Sequence, residues 1–421
     1  EFVSILTDTG IVRLCYNLAM HVLQISWEYP PHIVGGLGRH VADLAPALTE
    51  HDVIVTVLTP QLRGGEAFER HQNLTICRVS VPTLDTDDFP GFVYHTGRHL
   101  EQAAHALFPG GRPDLIHVHD WLTAEVGIAL KHHWRIPLIA TIHATERGRG
   151  RGAINGQRAQ YINDLEWRLT YEAWRVIVCS HFMARQIREY FTTPADKIDV
   201  ISNGVHLPSQ PFANPAEWVS FRRRFAADNE ALVIFVGRLV YEKGVHILLE
   251  AWPRVVADIP ARLVIAGTGS MLDELRRRAT ELGIAVEFLG FISDEDRNRL
   301  YAVGDVAVFP SLYEPFGIVA LEAFAAGCPV IVSDAGGLAE VVQHELNGLV
   351  VPAGDVEGLV QALLASLHAP ADSRLRAARG AALARAYYTW TRIAGEVKAV
   401  YDRVWMEWKA GAWGKEIMRR A

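Results

Sequence analysis

The chain has 421 residues, half of them hydrophobic and 21% charged; this is too long for one compact core and too apolar for general disorder, so two or three globular domains are expected. Lys+Arg 41 against Asp+Glu 48 leaves a net charge of −7, which excludes a polybasic protein whose main partner is nucleic acid. Cys15, Cys77, Cys179 and Cys328 lie far apart with no CxxC pair, so a structural zinc or a disulfide framework is not expected and a reducing, cytoplasmic setting suits the chain.

The first nineteen residues lack the basic start and long apolar stretch of a signal peptide, and a clean strand pattern begins only at Met20. Residues 1–19 therefore read as an extra N-terminal segment, with a genuine first strand as the alternative. From there short apolar, β-branched runs mark strands at His21–Trp27, Val53–Leu58, Leu74–Val81, Leu115–Val118, Leu138–Ile142, Val176–Cys179 and Ile198–Ile201. Helical spacing lies between them, as at Leu37–Leu48, Leu122–His132 and Met183–Tyr190. The pattern lapses at Leu207-Pro208, Gln210-Pro211 and Asn214-Pro215, which reads as a linker. It restarts with strands at Leu232–Val236, Arg262–Ala266, Val286–Leu289, Val306–Phe309 and Val330–Val332. No run of roughly 18 apolar residues offers a spanning helix.

Strands alternating with helices, each strand almost continuously apolar, predict an α/β chain of two Rossmann-like, doubly wound parallel sheets. The expected division is 20–205 for the first domain and 206–388 for the second. The helical tail 389–421 is long enough to cross back over the first domain. In such sheets ligands bind outside the carboxyl ends of the strands, so informative residues should follow strands.

Three segments do. Gly35-Gly36-Leu37-Gly38 comes after the first strand at a helix start, where glycines let backbone approach a phosphate; alone, it fits a tight structural turn as well. Arg238 and Lys243, in Gly237–Gly244, follow strand Leu232–Val236 and could flank a diphosphate as a fixed fork and a point charge; alone, they suit a solvated loop. Glu314-Pro315-Phe316-Gly317-Ile318 and the run to Glu322 follow strand Val306–Phe309. The helix starting after Gly317 favours an anion at its N-terminus. Carboxylates beside it would repel that anion unless they serve other donors, such as sugar and ribose hydroxyls.

Together these segments resemble the retaining family 4 glycosyltransferases of the GT-B fold, and among them the bacterial glycogen synthase group. Glu314 and Glu322 match the family's E-x7-E motif, and Arg238 and Lys243 match the cations that hold the donor pyrophosphate. Asp334-Ala335-Gly336-Gly337 with Glu340 matches the segment after that motif. His117–Trp121, Thr141–His143 and Asp164–Glu172 carry the glycogen-synthase likeness in the first half. The resemblance runs from Met20 to about Val404. It implies two domains facing across a cleft that closes, with hinges near 204–230 and before the tail helix. The implied reaction is glucose transfer from ADP-glucose or UDP-glucose to an α-1,4-glucan or maltooligosaccharide, without a metal or other cofactor.

In that scheme Arg238 and Lys243 stabilise the leaving diphosphate and Glu314 takes hexose hydroxyls. Glu322 holds the ribose, and backbone near Phe291-Ile292 holds the base. Gly35, Gly36, Phe316, Gly317 and Ile318 complete the donor site. His143 hydrogen-bonds the hexose or shields its anomeric carbon, and Asp120 meets the sugar or acceptor; a packed histidine at a strand end is the plain alternative for His143. One departure stands out: related starch and glycogen synthases carry Lys two positions before the glycine pair, where this chain has Ile33.

Other features have plainer readings. Asp85-Thr86-Asp87 matches the metal–diphosphate DxD pattern but has no partner ligand in view. His117, His119, His132, His133 and His143 suit packing or site lining better than coordination. Arg147, Arg149 and Arg151, among glycines, read as a mobile loop, and Arg222-Arg223-Arg224 and Arg276-Arg277-Arg278 as helix surface. Residues 20–205 carry 17 Lys+Arg and 20 Asp+Glu, which disfavours an anionic membrane surface as partner. A glycosyltransferase on a small, phosphosugar or lipid acceptor, a nucleotide-sugar 2-epimerase, a retaining glycoside hydrolase and a non-catalytic sugar-binding protein are the competing classes.

Overall fold

The computed structural model describes residues 19–81, 88–208 and 210–418. The extra segment expected at 1–19, apart from its last residue, and Asp85-Thr86-Asp87 lie outside the described residues. The chain divides into two compact units. One comprises the described residues up to Cys179, Met183–Ile201 and those from Trp390 on; the other comprises Ser180–Phe182 and Ser202–Thr389.

Among the described residues the first unit holds an eight-stranded sheet. Its strands are β1 (Met20–Ile25), β2 (Val53–Pro60), β3 (Phe68–His71), β4 (Leu74–Val79), β5 (Leu115–His119), β6 (Leu138–Ile142), β7 (Arg175–Val178) and β8 (Ile198–Val200). The order is β3-β4-β2-β1-β5-β6-β7-β8, parallel throughout except for the antiparallel β3–β4 pair. Every residue of β5 and β6 is buried, as expected of parallel strands covered on both faces. β3 escapes the sequence pattern because Phe-Glu-Arg-His at a sheet edge is half to fully exposed and needs no apolar run.

The first unit's core joins two helices to this sheet. Helix Gly36–Thr49 contributes Val41, Leu44, Ala45 and Leu48, and helix Trp390–Ala410 contributes Ile393, Val397, Val400, Tyr401 and Val404. They pack with Val22, Val53, Val55 and Leu115 of the strands. The tail thus crosses back to the first sheet after the whole second unit. Buried polar contacts tie it to the strands: Tyr401 Oη lies 2.6 Å from His117 Nδ1 and accepts from Gln24 Nε2 at 3.3 Å.

The second unit holds β9 (Ala231–Val236), β10 (Ala261–Ala266), β11 (Val286–Gly290), β12 (Val306–Phe309), β13 (Val330–Ser333) and β14 (Leu349–Val351), all parallel, in the order β11-β10-β9-β12-β13-β14. β14 has three residues, too few for the sequence pattern to separate from a loop. Helix Val245–Asp258 buries Leu248, Leu249, Trp252 and Val255 against the sheet. Part of the expected linker is instead a helix start. Asn214 caps helix Pro215–Arg222 by accepting from Glu217 N at 2.9 Å, and Pro215 takes the first helical position. Arg222, expected at the helix surface, is largely buried, donating to Asp305, Val303 O and Glu230 O at 2.8 Å each.

Removing the Tyr401 hydroxyl leaves a buried His117 nitrogen without its partner. Tyr401→Phe is expected to destabilise the first unit by about 1–3 kcal/mol. Urea unfolding followed by tryptophan fluorescence checks this, and an unchanged midpoint would show that the contact contributes nothing.

Candidate active site

In each sheet the chain reverses its winding direction beside one central strand, and loops on either side of that point diverge to leave room for a ligand. In the second unit the point lies between β9 and β12. The loop after β9 carries Arg238 and Lys243, and the loop after β12 carries Glu314. Backbone joins them: Leu312 N and Tyr313 N donate to Glu242 O at 2.8 and 3.3 Å. Gly244, at φ +68°, lies so close that a Cβ there would sit 1.9 Å from Pro310 O.

Lys243 Nζ consequently reaches Glu314 Oε2 at 2.5 Å across 71 residues of sequence. Glu314 is buried and Lys243 half-buried. An ammonium has three protons, so the pairing leaves capacity for phosphate oxygens. Arg238 is more exposed and lies 3.5 Å from Glu242. Gly317, at φ +100°, precedes helix Ile318–Ala325; Phe316 is buried, and Ile318 is the helix's first residue. Glu322, one turn on, is buried and lies 3.0 Å from Arg297. Phe291 follows β11 and is 83% exposed, with Ile292 half-buried beside it.

The glycines of Asp334-Ala335-Gly336-Gly337 have a packing reason. Gly337 N donates to Glu314 O at 2.9 Å, and a Cβ on Gly336 would fall 2.1 Å from the same oxygen. This segment therefore presses against the loop bearing Glu314 and fixes its course.

In the first unit the reversal lies between β1 and β5. Gly35 precedes helix Gly36–Thr49 and Gly36 opens it. Glu28 shapes this turn: its Oε2 accepts from Val34 N at 2.8 Å and Gly35 N at 3.1 Å, and a Cβ on Gly38 would strike its side chain. Asp120 follows β5 with φ 58° and ψ 178°, a conformation rarely taken by a residue with a side chain. Its backbone N donates to Thr141 O at 2.9 Å, and its Oδ1 accepts from His143 N at 2.6 Å. The buried carboxylate thus holds the segment carrying His143, and burial raises it to about 6 against the pull of Arg149 and those backbone donors. His143 Nε2 lies 3.2 Å from His119 Nδ1. Burial lowers His143 to about 3 and His119 well below the ordinary imidazole range, so both rings are neutral at physiological pH.

The arginine-rich stretch after His143 is not the open loop expected. Residues Glu146–Arg149 form a helical turn capped by Thr145, whose side chain accepts from Gly148 N at 3.0 Å. The Arg147 guanidinium lies over the Tyr190 ring at 5.2 Å. Beneath the turn, fully buried Glu166 accepts from Glu146 N through both oxygens at 2.9 and 3.1 Å.

Sequence reasoning missed Glu28, Arg297 and Glu166. Glu166 lay inside the flagged Asp164–Glu172 stretch, but its partner is a backbone N–H twenty residues away. A local signal existed only for Glu28, an acidic residue just before a glycine turn.

The family model described as Glycosyltransferase Family 4 matches residues 34–208, and Glycosyl transferases group 1 matches 217–383. An uncharacterised glycosyltransferase of Methanocaldococcus jannaschii is 39% identical over 78% of this chain and 84% of its own length. The chain belongs to the family 4 glycosyltransferases. It is similar to a glycogen synthase of Mycobacterium tuberculosis, 35% identical over 91% of this chain and 94% of the relative. It is also similar to a D-inositol 3-phosphate glycosyltransferase of Jonesia denitrificans, 28% identical over 88% and 91%. Sucrose-phosphate synthase from Thermosynechococcus elongatus superposes with a TM-score of 0.78 at 25% identity, over 92% of this chain and all of that one. The fold is GT-B, and this glycosyltransferase is a transferase enzyme. Among the described residues no helix is long and apolar enough to cross a membrane.

Glu166 makes a pH prediction. Burial, above all, carries its carboxyl from 4.5 up to about 8, so at pH 7 it is protonated when folded and ionised when unfolded. A raised folded value means that its stabilisation is complete below about pH 4.5 and is lost as pH rises through about 8. Between about pH 6 and 8 the loss from this group is about 2 kcal/mol. Glu166→Gln should remove that contribution. Urea midpoints of both proteins at the two pH values check it, and identical pH slopes would refute it.

Proposed function

We propose that this glycosyltransferase moves glucose, with retention of the α configuration, from ADP-glucose or UDP-glucose to the non-reducing end of an α-1,4-glucan or maltooligosaccharide. The observation that carries the donor half is the Lys243–Glu314 junction at the reversal point of the second sheet. It sets a cation, a hydroxyl acceptor and a helix N-terminus on adjoining loops. Similarity to a glycogen synthase along nearly the whole chain supports the acceptor half.

The chemistry follows from charge. The bond between the anomeric carbon and the phosphate oxygen breaks, leaving a cation-like sugar and a growing negative charge on the diphosphate. Lys243 and Arg238 stabilise that charge, aided by backbone N–H groups after Gly317. Glu314 accepts hexose hydroxyls, and Glu322, steadied by Arg297, accepts ribose hydroxyls. Backbone near Phe291 and Ile292 holds the base, and Gly35 and Gly36 serve the donor from the first unit. The acceptor hydroxyl forms its bond on the face the phosphate leaves, and its proton passes to a phosphate oxygen. No protein base is required. His143, held neutral and placed by Asp120, serves the hexose; a neutral ring does not repel the cation-like sugar.

A second reading places the glucose or a related hexose on a phosphorylated small molecule. Similarity to a D-inositol 3-phosphate glycosyltransferase and the arginines at 147, 149 and 151 favour it.

Radiolabelled ADP-glucose and UDP-glucose offered to maltotriose and glycogen should extend them. If neither donor labels either acceptor while inositol phosphate or another sugar nucleotide gives product, the glucan assignment falls. Lys243→Ala should lower turnover about 10²-fold or more, since a contact to a developing anion contributes about 3 kcal/mol. Near wild-type turnover at saturating donor would take Lys243 out of the mechanism.

A further inference from the structure

Three imidazoles converge within the first unit from three separate elements. His40 comes from helix Gly36–Thr49, His119 from the end of β5, and His143 from just beyond β6. Each offers a ligand nitrogen, and the three nitrogens lie within 4.8 Å of one another. The ring centres are 4.7 Å apart for His40–His143, 5.4 Å for His119–His143 and 5.5 Å for His40–His119.

Tetrahedral coordination at about 2.0–2.1 Å per Zn–N bond places neighbouring nitrogens about 3.4 Å apart and ring centres about 5 Å apart. The 3.2 Å between His119 Nδ1 and His143 Nε2 already matches one such edge. We propose that His40, His119 and His143 form a three-histidine site for one Zn²⁺ ion, and that the ion reversibly inhibits transfer by engaging the His143 ring. The inhibitory half rests on the reading above that His143 serves the donor hexose; the site itself does not.

The surroundings suit such an ion. Burial keeps the His119 and His143 rings unprotonated, the form that binds metal. A set of nitrogens without a carboxylate selects zinc and its neighbours over Mg²⁺ or Ca²⁺. His117, though only 4.4 Å from His119 between ring centres, spends its nitrogens on Tyr401 and Thr141 at 2.6 and 2.7 Å, so it is not a fourth ligand. The Asp120 carboxylate, bound to the His143 backbone N–H, supplies nearby negative charge and braces one ligand from behind. The fourth position is left to water.

The full chain, stripped with EDTA and freed of chelator, is titrated with Co²⁺ and then Zn²⁺. One equivalent of Co²⁺ should give the strong visible absorption of a tetrahedral ion, and Zn²⁺ should displace it. His40→Gln should weaken binding by about 100-fold or more, its fold checked by circular dichroism. Zinc-edge X-ray absorption of the wild-type protein should count three imidazoles, which tests the site even if the variant fails to fold. One equivalent of Zn²⁺ should suppress donor turnover, EDTA should restore it, and His40→Gln should resist the inhibition. Absence of stoichiometric binding, a ligand count without three imidazoles, or equal binding by a folded His40→Gln variant overturns the site. The metal-free donor assay still judges the glucosyl-transfer reading in that case. Stoichiometric binding with undiminished turnover keeps the site, overturns the inhibition and removes His143 from the donor.

Discussion

The carbonyl oxygen of Glu242 accepts hydrogen bonds from two successive backbone N–H groups, those of Leu312 and Tyr313. That small knot, with Gly244 pressed against Pro310, joins the two loops that emerge on either side of the winding reversal in the second sheet. The proposed donor site depends on it. A lysine and a glutamate 71 residues apart meet at 2.5 Å because two parallel strands are neighbours and their loops are tied at the backbone. The close approach explains why glycine stands at 244, and the pressure of Gly336 and Gly337 on Glu314 O extends the same logic to a third loop.

The first unit solves its version of this problem with side chains. Glu28 binds the N–H groups of its glycine turn, Asp120 those of the His143 segment, and Glu166 that of Glu146. Three acidic residues thus hold three stretches of backbone by accepting hydrogen bonds. Burial raises two of the three, Asp120 to about 6 and Glu166 to about 8, so near neutrality Asp120 keeps its charge while Glu166 holds its backbone partner as a neutral acid. The strained backbone at Asp120 is held in place by contacts at both ends of the residue.

Much of this was legible in the sequence because the signals are local. Continuous apolar strands such as Leu115–His119 and Leu138–Ile142 announce parallel sheets, and Glu314 with Glu322 keeps its spacing whatever the fold. What the sequence hid was non-local or weakly patterned. β3 is an exposed edge, and β14 is three residues long. Asn214-Pro215 looked like linker punctuation but caps a helix. The arginines after His143 looked mobile because glycines surround them, yet Thr145 and Glu166 secure that turn from positions no short motif links. Arg222 reads as surface until Asp305, 83 residues on, is brought beside it. The convergence of His40 with His119 and His143 likewise appears only when helix and strands are packed together.

The return of helix Trp390–Ala410 to the first sheet has a consequence for synthesis. Ile393, Val397, Val400, Tyr401 and Val404 are part of the core that includes Val22 and Val53, so a nascent chain cannot close its first unit until the stretch Ser202–Thr389 has left the ribosome. The second unit, nearly contiguous in sequence, can mature in the interval while the first sheet still lacks helix Trp390–Ala410. The growing polypeptide therefore passes through a stage in which strands of the first sheet carry uncovered apolar surface. A chain cut short before Trp390 would keep the second unit and leave apolar surface of the first sheet uncovered.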